Sequence, residues 1–145
     1  MPRNHHGSAL AEFAPGLTFL LSFFLVVVSI GWYLMMQVAL RDVCDRAVAK
    51  ASACFGAEQS GLCVAEVDRQ FRSGPIGLLI DNNSKQDGMS MRVERAAADG
   101  AGITCRVLGT YHVKVLFCPW LIGLSADATR VLEHPEGYKN VARSH

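Results

Sequence analysis

The chain has 145 residues, half of them hydrophobic, with 14 basic and 13 acidic side chains and a formal net charge of +1. This length holds one modest domain of about 100–150 residues and excludes a large multidomain enzyme. The balanced charge leaves no electrostatic footprint for nucleic acid, and the sequence shows no basic–aromatic patch, phosphate-binding glycine loop or internal repeat.

A short basic tail (Arg3, His5, His6) ends at Gly7, and the chain continues Ser8-Ala9-Leu10-Ala11-Glu12-Phe13. From Phe13 to Leu40 there is no charged residue, and the apolar run is densest from Leu17 to Met36. At 1.5 Å of rise per residue, about 20 apolar residues cross the ~30 Å hydrocarbon core of a bilayer. The run also exceeds the ~7–15 apolar residues of a secretory signal. Trp32 and Tyr33 stand near its far end, where amphipathic rings favour the membrane–water interface. Basic residues on the N-terminal flank predict that the N-terminus stays in the cytoplasm and the remainder lies outside. Glu12 sits just inside the apolar run. A carboxylate at a membrane-helix centre costs about 2.5–3.5 kcal/mol, less near an end, so Glu12 needs a partner and marks a functional position.

The following segments predict an α+β arrangement: a long N-terminal transmembrane helix, then a small domain with a second helix and a short antiparallel sheet. One helix is expected from about Ala9 to Cys54, with Pro15 early in it and Gly56 as its stop. Ser60 is expected to cap a second helix over Leu62 to Arg72, whose Val64, Val67 and Phe71 form a core stripe. Ser73-Gly74-Pro75 breaks that helix, Leu78 to Ile80 reads as a short buried piece, and Asp81 to Gly88 as a polar loop. Met89 to Arg95 alternates as a strand. Ile103–Val107 and Tyr111–Phe117 follow as strands, with Gly109-Thr110 as a bend or bulge. Cys118 to Leu124 reads as a loop, Ala126 to Leu132 as a last strand, and the segment from His134 onward as a solvated tail.

The Gly7-Ser8…Glu12-Phe13 pattern resembles the class III signal of type IV pilins, and Phe after Glu is similar to the Tad/Flp branch. Two further stretches resemble TadE-like minor pilins (TadE or TadF). One is the alanine- and charge-rich continuation Gln37 to Ala53. The other is the C-terminal series Tyr111–Phe117, Cys118-Pro119-Trp120-Leu121-Ile122-Gly123-Leu124 and Ser125–Glu133. Residues 54–102 carry no family motif. The resemblance implies a cytoplasmic leader at residues 1–7, a transmembrane and extended helix at 8–54, and a periplasmic or extracellular α+β domain at 55–145. It implies that prepilin peptidase cuts between Gly7 and Ser8. It further implies that Glu12, beside Phe13, pairs with the new α-amine of a neighbouring subunit. That amine has an ordinary pKa of about 7.7–8, so the pair relieves two costly groups at once. The implied setting is the bacterial inner membrane, single-pass. The implied partners are the peptidase, other Tad pilins, inner-membrane assembly proteins and lipid. The role is assembly of an adhesive pilus, with no enzyme activity, cofactor or small-molecule substrate.

Five cysteines are present, Cys44, Cys54, Cys63, Cys105 and Cys118, and none forms a C-x-x-C pair. In an oxidising compartment one or two disulfides are expected, with one cysteine left over. Cys54 with Cys63 would staple the helix–helix turn, and Cys105 with Cys118 would tie sheet to loop; the pairing stays open. No metal site is expected. Asp81-Asn82-Asn83-Ser84-Lys85 fails as a calcium loop because lysine stands where an oxygen ligand is needed. His112 and His134 have no ligand spacing, and Ser125, Asp127 and His134 make no nucleophile elbow. Two other classes remain open: an uncleaved signal-anchored periplasmic binding or sensor module, and a membrane-tethered thiol–disulfide enzyme.

Overall fold

A computed structural model describes residues 6–80, 87–95, 103–114, 121–133 and 138, giving the backbone alone for 6–12 and 95. Its elements in order are α1 (His6–Ala53), α2 (Ala57–Ser73), a 3-10 turn (Gly77–Leu79), β1 (Gly88–Arg95), β2 (Ile103–Lys114) and β3 (Leu121–Val131). The strands form one antiparallel sheet in the order β1-β2-β3, so the class is α+β as the patterning predicts. The chain divides into two compact units, Met1–Leu34 and Met35–His145, and α1 contributes residues to both.

In the first unit α1 is apolar on every side. Its hydroxyls are satisfied within the helix: Thr18 donates to the Ala14 carbonyl at 2.9 Å, Ser22 to Thr18 at 2.8 Å and Ser29 to Leu25 at 2.7 Å. Bonding to the carbonyl four residues back leaves these polar groups no unmet demand for water. Pro15 lies inside the helix. It removes one backbone N–H and frees the carbonyl four residues earlier.

In the second unit the sequence pattern of α1 changes to a one-sided stripe. Met36, Leu40, Cys44, Ala47, Val48 and Ala51 are buried; Cys44 is followed at three and four residues by Ala47 and Val48, and the series keeps to one face. On α2 the buried positions are Ser60, Val64 and Val67. In β2 alternate residues Cys105, Val107, Gly109, Tyr111 and Val113 are buried, as a half-buried strand requires. In β3 Leu124 and Ala128 turn inward with them. Cys44 of α1 comes close to the sheet, its Sγ 3.6 Å from the Ala126 carbonyl.

Gly109 is the clearest case of that close approach. A Cβ there would stand 2.9 Å from Cys44 Sγ and 3.2 Å from Leu40 Cδ1. The expected bend at Gly109-Thr110 is therefore corrected. β2 runs unbroken through it, with Gly109 opposite Met89 on one side and Ala126 on the other. The glycine makes room for α1 rather than for a bulge. Gly109→Val is expected to cost about 1–3 kcal/mol by overpacking, read as a lower urea midpoint for the full chain in detergent.

Other boundaries shift for similar reasons. Ser60 is not a cap: α2 begins at Ala57, with Gly56 at φ 89 making the reversal, and Ser60 is buried inside the helix. A positive φ of this kind favours glycine. β3 starts at Leu121, so the latter part of what reads as a Pro/Gly loop, Leu121 to Leu124, belongs to the strand, with Leu121 opposite Lys114, while residues 118–120 lie outside the described residues. Ile80 makes an isolated bridge to Val113. Tyr138 is completely buried, which corrects the solvated tail at that position.

Candidate functional site

Gly7, Ser8 and Glu12 lie in the opening turns of α1, whose backbone is helical from His6; their side chains fall outside the described residues. Phe13 is the first described side chain and is 66% exposed. Phe19, Leu20, Phe23, Phe24, Val27 and Ile30 follow, all exposed and distributed around the helix. The most apolar 18-residue window has a mean hydropathy of 2.3 and none of it is buried. Exposed apolar surface on this scale is not sustained in water. This helix is long and apolar enough to cross a membrane.

A second constellation joins α2 to the sheet. The Tyr111 hydroxyl donates to Asp68 Oδ1, and Arg72 Nε donates to Asp68 Oδ2 at 3.1 Å. Arg72 also lies 5.5 Å over the Tyr111 ring, whose edge meets Phe71 at a centroid distance of 5.2 Å. Through Nη2 Arg72 also donates to the Asp87 carbonyl at 2.5 Å. The Asp87 carboxylate is 1% exposed and takes the His112 backbone N–H at 2.8 Å, with His112 Nδ1 at 2.6 Å. Burial, then the bond to Asp68, pushes the Tyr111 phenol far above its ordinary value. Each group is held by another, so the cluster fastens α2 and the start of β1 to β2.

The third constellation is the α1–α2 turn. Gly56 reverses the chain and brings the first turns of α2 back onto the end of α1. Ser60 Oγ donates to the Ala51 carbonyl at 2.9 Å. With that proton committed, the Tyr138 hydroxyl is the donor toward Ser60, shared with the Cys54 carbonyl at 3.5 Å. Cys54 and Cys63 meet here, their sulfurs 2.6 Å apart. The hydrogen bond to Cys63, followed by burial, pushes the Cys54 thiol up to about 11. Cys44 and Cys105 are fully buried, and burial raises the Cys105 thiol as well. Cys118 lies outside the described residues, so its pairing with Cys105 does too.

Among the described residues no group of three or more His, Cys, Asp and Glu side chains could hold a metal ion. The residues that pattern reading passed over are Tyr138, Tyr111 and Asp87. Tyr138 did carry a signal: it is the one aromatic residue in an otherwise polar tail. Tyr111 and Asp87 carried none, because what distinguishes them is contact across elements.

No family model, curated protein or solved structure matches the chain.

Proposed function

We propose that this chain is a TadE-like minor pilin (pseudopilin) of a Tad/Flp pilus system, made as an inner-membrane precursor and used in pilus assembly and surface adherence. One observation carries the reading. The helix that opens with Gly7-Ser8…Glu12-Phe13 continues directly into a stretch exposed on all sides, and a small α+β unit takes up only its far part. A signal anchor needs only the apolar run; the Gly–Ser junction and the carboxylate at its edge are additional, and they are what prepilin processing and subunit pairing use.

On this reading the leader 1–7 stays in the cytoplasm, prepilin peptidase cuts between Gly7 and Ser8, and residues beyond the helix face the periplasm. Glu12 then meets the Ser8 amine of a neighbouring subunit. The exposed apolar helix packs on lipid before assembly and on other pilin helices afterwards. The role is structural, with inner-membrane assembly proteins as partners and no reaction of its own. Peptidase-dependent appearance of a mature chain beginning at Ser8 tests it.

A further inference from the structure

We infer that Cys54 and Cys63 form a structural disulfide that locks the α1–α2 turn and the seat of Tyr138. The two sulfurs lie 2.6 Å apart, about half an ångström beyond the ~2.05 Å of a disulfide bond. No rearrangement of the turn is needed to bring them together. Gly56 makes the reversal, and Ser60 ties the first turn of α2 to the Ala51 carbonyl. Tyr138, wholly buried, reaches both Ser60 and the Cys54 carbonyl, so it closes the turn from a third direction. Both cysteines are partly exposed, whereas Cys44 and Cys105 are fully buried. An oxidant can therefore reach this pair while those two stay out of competition.

The chemistry is thiol–disulfide exchange with a small-molecule or protein disulfide as oxidant. One cysteine sulfur loses its proton and attacks the oxidant's disulfide, giving a mixed disulfide and one released thiol. The second cysteine loses its proton and attacks the protein sulfur of that mixed bond, closing the Cys54–Cys63 bond and releasing the second thiol. Two protein thiols are oxidised and one oxidant disulfide is reduced to two thiols. In the cell the bond needs an oxidising compartment, and so rests on the outward placement of the domain but not on the pilin class.

The test uses the purified full chain in detergent, equilibrated with glutathione buffers from reducing to oxidising and then alkylated. It is independent of processing and topology. The expected result in oxidising buffer is a non-reduced peptide map with Cys54 joined to Cys63 in the same molecule. The thermal midpoint should lie on the order of 10 °C above that of the reduced chain, as closing a short loop predicts. Cys54→Ser and Cys63→Ser should each remove both the cross-linked peptide and the shift, while Cys44→Ser keeps them. Free alkylated thiols, persistent glutathione adducts at Cys54 or Cys63, or a bond from either to another cysteine would overturn the inference.

Discussion

Tyr111→Ala is expected to remove about 3–5 kcal/mol from the stability of the unit formed by residues 35–145, the range for deleting a buried aromatic side chain. With typical domains stable by only about 5–15 kcal/mol, that loss leaves the unit close to unfolding. The size follows from what the residue touches. Its ring is 1% exposed, meets Phe71 edge-on and lies under Arg72, and its hydroxyl donates to Asp68. Tyr111→Phe keeps the ring and loses only the hydroxyl. Asp68 then retains Arg72, so the cost falls to about 1–2 kcal/mol, near the lower end for a hydrogen bond to a charged group.

The two variants also differ in alkali. The folded phenol's pKa is raised, so the native state keeps this proton at a pH where the unfolded chain gives it up. The stabilisation is fully present below about pH 10, the ordinary tyrosine value, and is lost as pH rises toward the folded pKa. Tyr138 is shifted the same way, chiefly by burial. Wild type should therefore lose stability above about pH 10, and Tyr111→Phe should lose it less steeply. Urea titrations of the full chain in detergent, followed by near-ultraviolet circular dichroism, measure both effects.

On the pilin reading proposed above, Glu12→Ala is expected to leave membrane insertion intact and to abolish assembled pili. Removing one partner of a buried ion pair costs about 3–5 kcal/mol, because the remaining charge is left unpaired. At 1.36 kcal/mol per tenfold, that is about two to four orders of magnitude in each subunit contact that uses the pair. Insertion is favoured by the same change, since a costly carboxylate leaves the edge of the apolar run. Carbonate-washed membranes should hold the variant at wild-type level while the sheared-filament fraction is empty. Normal pili would refute the pairing role of Glu12.

Local patterns reveal the helices and the face each strand buries, because periodicity alone encodes these. The apolar run of α1, the Val64/Val67/Phe71 stripe and the alternation of Met89 to Arg95 are of this kind. Features set by contact between elements are not legible in the same way. Gly109 reads locally as a break, yet it is a mid-strand residue whose missing Cβ admits Cys44 and Leu40. Ser60 reads as a cap because serine before an apolar stripe usually is one. Its hydroxyl instead bonds the Ala51 carbonyl across the turn, nine residues away. Tyr138 sits in a polar tail whose composition predicts solvation, and a single buried ring overrides that average. Of the candidate site, the Gly7–Ser8 junction and Glu12 are visible only as sequence. The proximity of Cys54 and Cys63 depends on the reversal at Gly56, which spacing alone leaves open.

The measurement that bears most directly on the central claim is the N-terminal sequence, with intact mass, of the chain expressed with and without a Tad prepilin peptidase. The pilin reading predicts a start at Ser8 with the peptidase and the unprocessed chain without it. An unprocessed N-terminus in both cases would contradict that reading and leave the apolar helix as a plain membrane anchor.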